Sequence, residues 1–278
     1  MLKINIPDNN VEERKYVIDF IFKEYFSIEF KYDIGSTNYE IILENNHKLI
    51  IEDKFFNQYL DNLEYLNLKN VPISIEFMTN DFTVRDNLPV IFGNTKISFK
   101  ETRSIICSAD IFASIFFMLT RWEEYVNPIR DMHSRFPAAS SLAYISGFLN
   151  RAIVDEYIEM LWNMLYYLGI GGEKRRKVKK LYISHDIDIL YKWKNYQHLI
   201  RVILGDILKR KNIGLAKMRM SQFNDIRKKI IKDPYDTFDY LMDISDKYKL
   251  KSRFYFMSNG TTHYDKRYNI CDPACLKY

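Results

Sequence analysis

The chain changes character at Gly169-Ile170-Gly171-Gly172, which is followed by the cations Lys174, Arg175, Arg176, Lys177, Lys179 and Lys180. Glycines end a helix and a dense run of charge resists burial, so a domain boundary is expected there. The two sides also differ in sign. Residues 1–172 hold 16 Lys and Arg against 24 Asp and Glu, whereas residues 191–232 hold 12 basic side chains against 2 acidic ones. One homogeneous domain seldom has this pattern. The sequence therefore predicts two domains, 1–172 and 173–278, with a basic helical insertion over 191–232 in the second.

With 278 residues, 47% of them hydrophobic and 15% aromatic, the chain can bury a core in each domain. The start, Met1 to Asp8, lacks the apolar core of a signal peptide, and no apolar run approaches the roughly 20 residues needed to cross a bilayer. A soluble, cytoplasmic protein is expected. The three cysteines, Cys107, Cys271 and Cys275, are an odd number. A disulfide framework is not expected, and Cys271 and Cys275 read as thiols rather than as half of a metal site.

The first half is predicted to begin with a helix, with Asn10 and Glu13 at capping-box spacing and Val17, Phe20, Ile21 and Tyr25 on one face. Alternating runs follow at Ile28 to Tyr32, Tyr39 to Leu43, Lys48 to Ile51 and Val71 to Phe77, with a hairpin expected around Gly93-Asn94. Two amphipathic helices close the half, one from about Asp110 and one carrying Val154, Ile158, Leu161, Leu165 and Leu168. Antiparallel strands followed by helices make an α+β domain, without a glycine-rich phosphate loop. The segments Arg121 to Tyr125 and Arg130 to Phe136 read as a polar lip over a neighbouring site or, preferentially, as a helix end with solvated ion pairs.

The second half opens with the chain's best chemical clue. An apolar strand, Leu181-Tyr182-Ile183, runs into Ser184-His185-Asp186-Ile187-Asp188. Residues i and i+2 of a strand share a face, so the two carboxylates would repel unless a cation or a shared proton intervened. The pair is thus a candidate metal ligand beside a general base, placed at the strand end where α/β folds put their chemistry. The competing reading has one aspartate capping the next helix and the other in solvent.

Ser184-His185-Asp186-Ile187-Asp188 resembles the first motif of polysaccharide deacetylases with the NodB-homology fold. The resemblance continues through Asp233-Pro234-Tyr235-Asp236-Thr237-Phe238-Asp239-Tyr240-Leu241 and Lys251-Ser252-Arg253-Phe254-Tyr255-Phe256. The first half, notably Arg121 to Tyr125 and Asp131 to Phe136, is similar to the accessory domain preceding the barrel in some bacterial members. The implied fold is α/β, an α+β domain followed by the beginning of a (β/α) deacetylase barrel. The implied activity is metal-dependent removal of acetyl groups from N-acetylated glycans, with Asp186 as general base and Asp188 as a ligand to a divalent metal, Zn²⁺, shared with two histidines. That histidine pair, three residues apart, has no match among His47, His133, His185, His198 and His263. Residues 181–278 are also far fewer than the roughly 250 of a full barrel. A C-terminally truncated, incomplete barrel, inactive alone, is therefore expected, open to oligomers or to a completing polypeptide.

Within the insertion, Leu199, Val202, Ile203 and Ile207 with Lys192, Lys194, Arg201, Lys209, Arg210 and Lys211 fit a cationic amphipathic helix, interrupted at Gly205 and Gly214. Its leading reading is a helix packed outside the barrel. An anionic membrane surface or glycan would use the same charges, and no nucleic-acid partner is expected. Two further function classes stay open: a non-catalytic membrane-surface or glycan-interaction module, and a glycosyltransferase using Asp186-Ile187-Asp188 as its metal site.

Overall fold

The structure is a computed structural model that describes residues 1–60, 63–100, 103–171, 180–193 and 195–257, together with Tyr268, Cys271 and Cys275. The basic run Lys174 to Lys179 and His263 lie outside the described residues. The chain divides into two compact units, Met1–Arg176 and Lys177–Tyr278.

In the first unit, β1 (Leu2–Ile6) leads into α1 (Val11–Asp19), which π-helical turns prolong over Phe20–Tyr25. Then come β2 (Phe30–Ile34), β3 (Tyr39–Ile42), β4 (Lys48–Ile51), β5 (Glu76–Met78), β6 (Leu88–Val90), β7 (Gly93–Lys100) and β8 (Ser104–Ala109). The helices α2 (Ile111–Thr120), α3 (Trp122–Val126), α4 (Leu142–Ile145) and α5 (Ile153–Tyr167) complete it. Six strands form one sheet in the order β2-β1-β3-β4-β8-β7, and β5 pairs with β6 apart from it. Leu2, Ile4 and Ile6 alternate inward along β1, and α2 packs against both α1 and α5 over a core that includes Phe112, Ile115, Tyr157 and Leu161.

This sheet is mixed, not antiparallel. β1 runs parallel to β2 and β4 parallel to β8, while β1/β3, β3/β4 and β7/β8 are antiparallel. Side-chain alternation has the same period in both arrangements. The discriminating feature is the connection, since α1 supplies the crossover that a parallel pair requires. Three local expectations also fail. Asn10 does not close a capping box: it sits in the left-handed region at φ 47° and its amide reaches the Tyr59 carbonyl at 3.3 Å. Only Glu76 and Phe77 of the Val71–Phe77 alternation are strand, and Ile73 is 96% exposed. Gly93 opens β7 opposite Ala109 rather than turning a hairpin. It is glycine because its φ of +89° and the Ser108 carbonyl oxygen against it leave no room for a Cβ.

The second unit begins with β9 (Tyr182–Ile187) and continues through α6 (Tyr196–Leu204), π-helical turns over Gly205–Lys209, α7 (Ile213–Arg227), α8 (Phe238–Lys247) and β10 (Lys251–Phe256). β9 and β10 pair in parallel, Tyr182 opposite Lys251 through to Ile187 opposite Phe256. Phe238 of α8 closes one face of this ribbon, with its ring 5.5 Å from Phe254 and 6.0 Å from Phe256. The arrangement is a strand–helices–strand unit of α/β type; the two strands close no barrel.

In the insertion, α6 folds onto α7 around Trp193, Leu199 and Phe223, a core separate from that of the ribbon. The α-helical pattern stops at Leu204, just before Gly205, while Gly214 falls in the first turn of α7, where its cost is small. Asp233, 8% exposed, holds the two stems together. Its carboxylate accepts from the Lys192 amide at 3.0 Å and the Tyr235 amide at 2.9 Å.

Candidate functional site

Strand alternation divides the β9–β10 ribbon into unlike faces. Ile183, His185, Ile187, Phe254 and Phe256 are half-buried, whereas Tyr182, Ser184, Asp186, Lys251, Arg253 and Tyr255 are exposed. The helix covers the first face, which leaves the second open. Parallel pairing sets Asp186 directly opposite Tyr255, so a carboxylate and a phenol share that open face. Arg253 lies over the Tyr182 ring at 5.5 Å, adding a cation and a second aromatic surface.

The strand extends four residues beyond its apolar run and ends at Ile187, so Asp186 is held by the ladder while Asp188 stands just past it. Both are exposed. The common orientation expected of the pair is thus fixed by the strand for Asp186 only. Tyr268 ties the two strand ends together: its hydroxyl accepts from the Met257 amide at 2.8 Å and donates to the Ile187 carbonyl at 2.5 Å. Burial raises its phenol against the lowering effect of that amide, and the nearby charges of Cys275 and Asp188 raise it further. No sequence signal marked Tyr268, an isolated aromatic far from the motif.

A metal at this place would need more than Asp188. His185, one residue before Asp186, projects to the other face, stacked on Phe254 at 4.8 Å with Nε2 buried and without a hydrogen-bond partner among the described residues. Among the described residues no three His, Cys, Asp or Glu side chains come together as a metal-binding group. A Zn²⁺ site has at least three protein ligands. The described donors therefore do not fit Zn²⁺ by themselves, and what the open face does hold is a solvated carboxylate beside aromatic rings.

The first unit holds a second carboxylate cluster that the sequence did not announce. Arg14, on the inward stripe of α1 with Val17, Ile18 and Ile21, is buried and pairs with Asp53 at 2.7 Å and with the Tyr39 hydroxyl. A charge on an apolar helical stripe is the signal that could have revealed it. Asp110 caps α2 through the Ala113 amide at 3.0 Å, and its other oxygen accepts from the amides of Lys54 at 2.9 Å and Phe55 at 3.1 Å. Burial first and the Asp53 charge second push Asp110 up to about 7, against those amides. The cluster joins α1, the start of β3 and the segments that follow β4 and β8. It is closed to solvent, so its chemistry is structural.

The charged segments after α2 spend their polar groups locally. Glu123 accepts from the Leu142 amide at 2.9 Å, Arg130 donates to the carbonyls of Glu124, Asn127 and Ile129, and Asp131 pairs with Arg135 at 3.1 Å. They form helix ends and turns rather than a lip over a site. A surface hollow of the first unit is lined by Met1, Leu2, Leu43, Asn45 and Gly169 and carries no catalytic grouping.

A family model described as a family of unknown function, DUF7033, matches residues 2–170. No curated protein and no solved structure matches the chain.

Proposed function

The chain belongs to DUF7033 through residues 2–170, and we propose that its second unit serves the deacetylation of N-acetylated glycans. The observation that carries this reading is the open face of the β9–β10 ribbon, where Asp186 stands opposite Tyr255 and near the Arg253–Tyr182 pair. Flat aromatic surfaces suit the apolar faces of sugar rings, and polar groups beside them fix orientation. Asp186, held by the strand ladder, is the general base that takes a proton from water as it attacks the acetamide carbonyl. The class that the motif resembles uses a divalent metal to polarise that carbonyl. Asp188 is the residue here that would hold it, and no step is assigned to a metal whose other ligands the described residues do not supply.

Two measurements on the full chain test the reading. Calorimetric titration with Zn²⁺ should show weak binding that Asp188→Ala abolishes and Asp186→Asn keeps. NMR titration with N-acetylglucosamine oligomers should perturb Tyr182, Arg253 and Tyr255, with the response lost in Tyr255→Ala. Zn²⁺ binding indifferent to Asp188→Ala would remove the metal assignment. Oligomers that leave the open face unperturbed at millimolar concentration would remove the glycan.

A further inference from the structure

The α6–α7 hairpin exposes more apolar surface than a helix pair in water should. Its inner stripe, Leu199 with Phe223 and Trp193, is buried within the hairpin. A second stripe is left outside. Ile200, Leu204 and Leu208 follow one another at four-residue spacing and are 56%, 50% and 70% exposed. The π-helical turns over Gly205–Lys209 widen the helix there and suit a row with this spacing. Ile207 and Ile213, 40% and 62% exposed, extend the apolar surface across the closed end of the hairpin.

Cations frame that surface. Arg201, Lys209, Lys211 and Lys217 are exposed and in no ion pair among the described residues. Arg210 and Arg219 are held by Asp206, whose side chain is fully buried, at 2.8 Å and 3.2 Å. Asp206 is also the sole acid between Tyr196 and Met220, so the closed end of the hairpin carries one sign of charge on its surface.

We propose that this hairpin end is a docking surface for an anionic lipid membrane. Exposed aliphatic side chains grouped on one face mark an interaction site, and their framing by lysines is the pattern of helices that lie in the headgroup region. Leu204, Leu208 and Ile213 enter the acyl boundary while the lysines meet lipid phosphates and carboxylates. A second copy of the chain is the poorer occupant. A two-fold contact through this patch would set its lysines against their own counterparts with no exposed acid between Tyr196 and Met220 to answer them. The hairpin lies on the membrane rather than crossing it: no helix among the described residues is long and apolar enough to span a bilayer. The inference does not depend on the deacetylase reading, because it uses neither the ribbon nor its carboxylates.

The test is co-sedimentation of the full chain with vesicles of phosphatidylcholine alone or with about one third phosphatidylglycerol. Binding should be roughly tenfold or more stronger to the anionic vesicles and should weaken with added salt, as a combined apolar and ionic contact requires. Leu208→Glu with Ile213→Glu, and separately Lys209→Gln with Lys211→Gln, should each reduce it several-fold while leaving the far-ultraviolet circular dichroism unchanged, since all four side chains are exposed. No binding to anionic vesicles at low salt overturns the proposal, and so does binding that either pair of substitutions leaves intact. A concentration-dependent dimer in sedimentation velocity, abolished by Leu208→Glu, would assign the patch to a second copy and also overturn it.

Discussion

Asp53 and Asp110 follow strands of the first unit much as Asp186 and Asp188 close β9 in the second, yet the first pair is 2% and 0% exposed and the second stands in solvent. In the first unit each acid is spoken for, Asp53 by Arg14 and Asp110 by three backbone amides, and the result is a fixed junction of strand ends. On the ribbon of the second, one face is packed and the other is exposed. Burial converts a carboxylate into a constraint, and exposure leaves it able to react.

The sharpest way to break this contrast is to remove one acid from each unit. Asp53→Ala strands the Arg14 guanidinium in the core and should cost about 3–5 kcal/mol in denaturant unfolding of the first unit. Asp186→Asn should change stability by no more than about 0.5 kcal/mol, as expected of an exposed group. A cost below about 1 kcal/mol for Asp53→Ala would show that the buried cluster is not a constraint, and the contrast would fail.

A middle case sharpens it. Asp233 of the second unit clamps backbone, and Asp233→Ala leaves the Lys192 and Tyr235 amides without their acceptor, a loss of about 1–3 kcal/mol. Hydrogen exchange at Lys192 and Tyr235 should accelerate while exchange in β9 and β10 stays as it was. Protection that is unchanged at both amides would show that the stems are held by other means.

The smallest effect expected is one of pH. Asp110 is raised from 3.8 to about 7, so below about pH 4 it is protonated in both folded and unfolded chains. As pH climbs toward 7 the unfolded chain ionises first, and stability of the first unit falls, by an amount on the order of 1 kcal/mol after partial relaxation. Unfolding measured between pH 4.5 and 7.5 should show this decline, and Asp110→Asn should flatten it. A rise in stability over that range that Asp110→Asn leaves untouched would put the controlling group elsewhere.

Elements whose signal is local were legible in the sequence: the helix starting after Asp110, the helix over Ile153–Tyr167, the strand carrying Asp186 and the second strand at Lys251–Phe256. Pairing was not. Leu2, Ile4 and Ile6 alternate as plainly as any strand, but nothing in the alternation says that β1 lies between β2 and β3 or which way its neighbours run. Conformation forced by tertiary contact was equally hidden, as at Asn10, whose amide serves a carbonyl 49 residues away instead of its own helix. For the candidate site, the motif gave Asp186 and Asp188. Tyr255 as the direct neighbour of Asp186 required the register of a parallel pair, and Tyr268 required its tertiary hydrogen bonds to Met257 and Ile187.

One oxygen of Asp233 receives amides from both stems of the helical hairpin, so the chain leaves the ribbon's periphery and comes back to the same point. A segment whose two ends coincide is topologically a bead on a string. It can be shortened or lengthened without altering the course of the strands on either side, so the length and charge of the hairpin are free to change while the ribbon stays as it is.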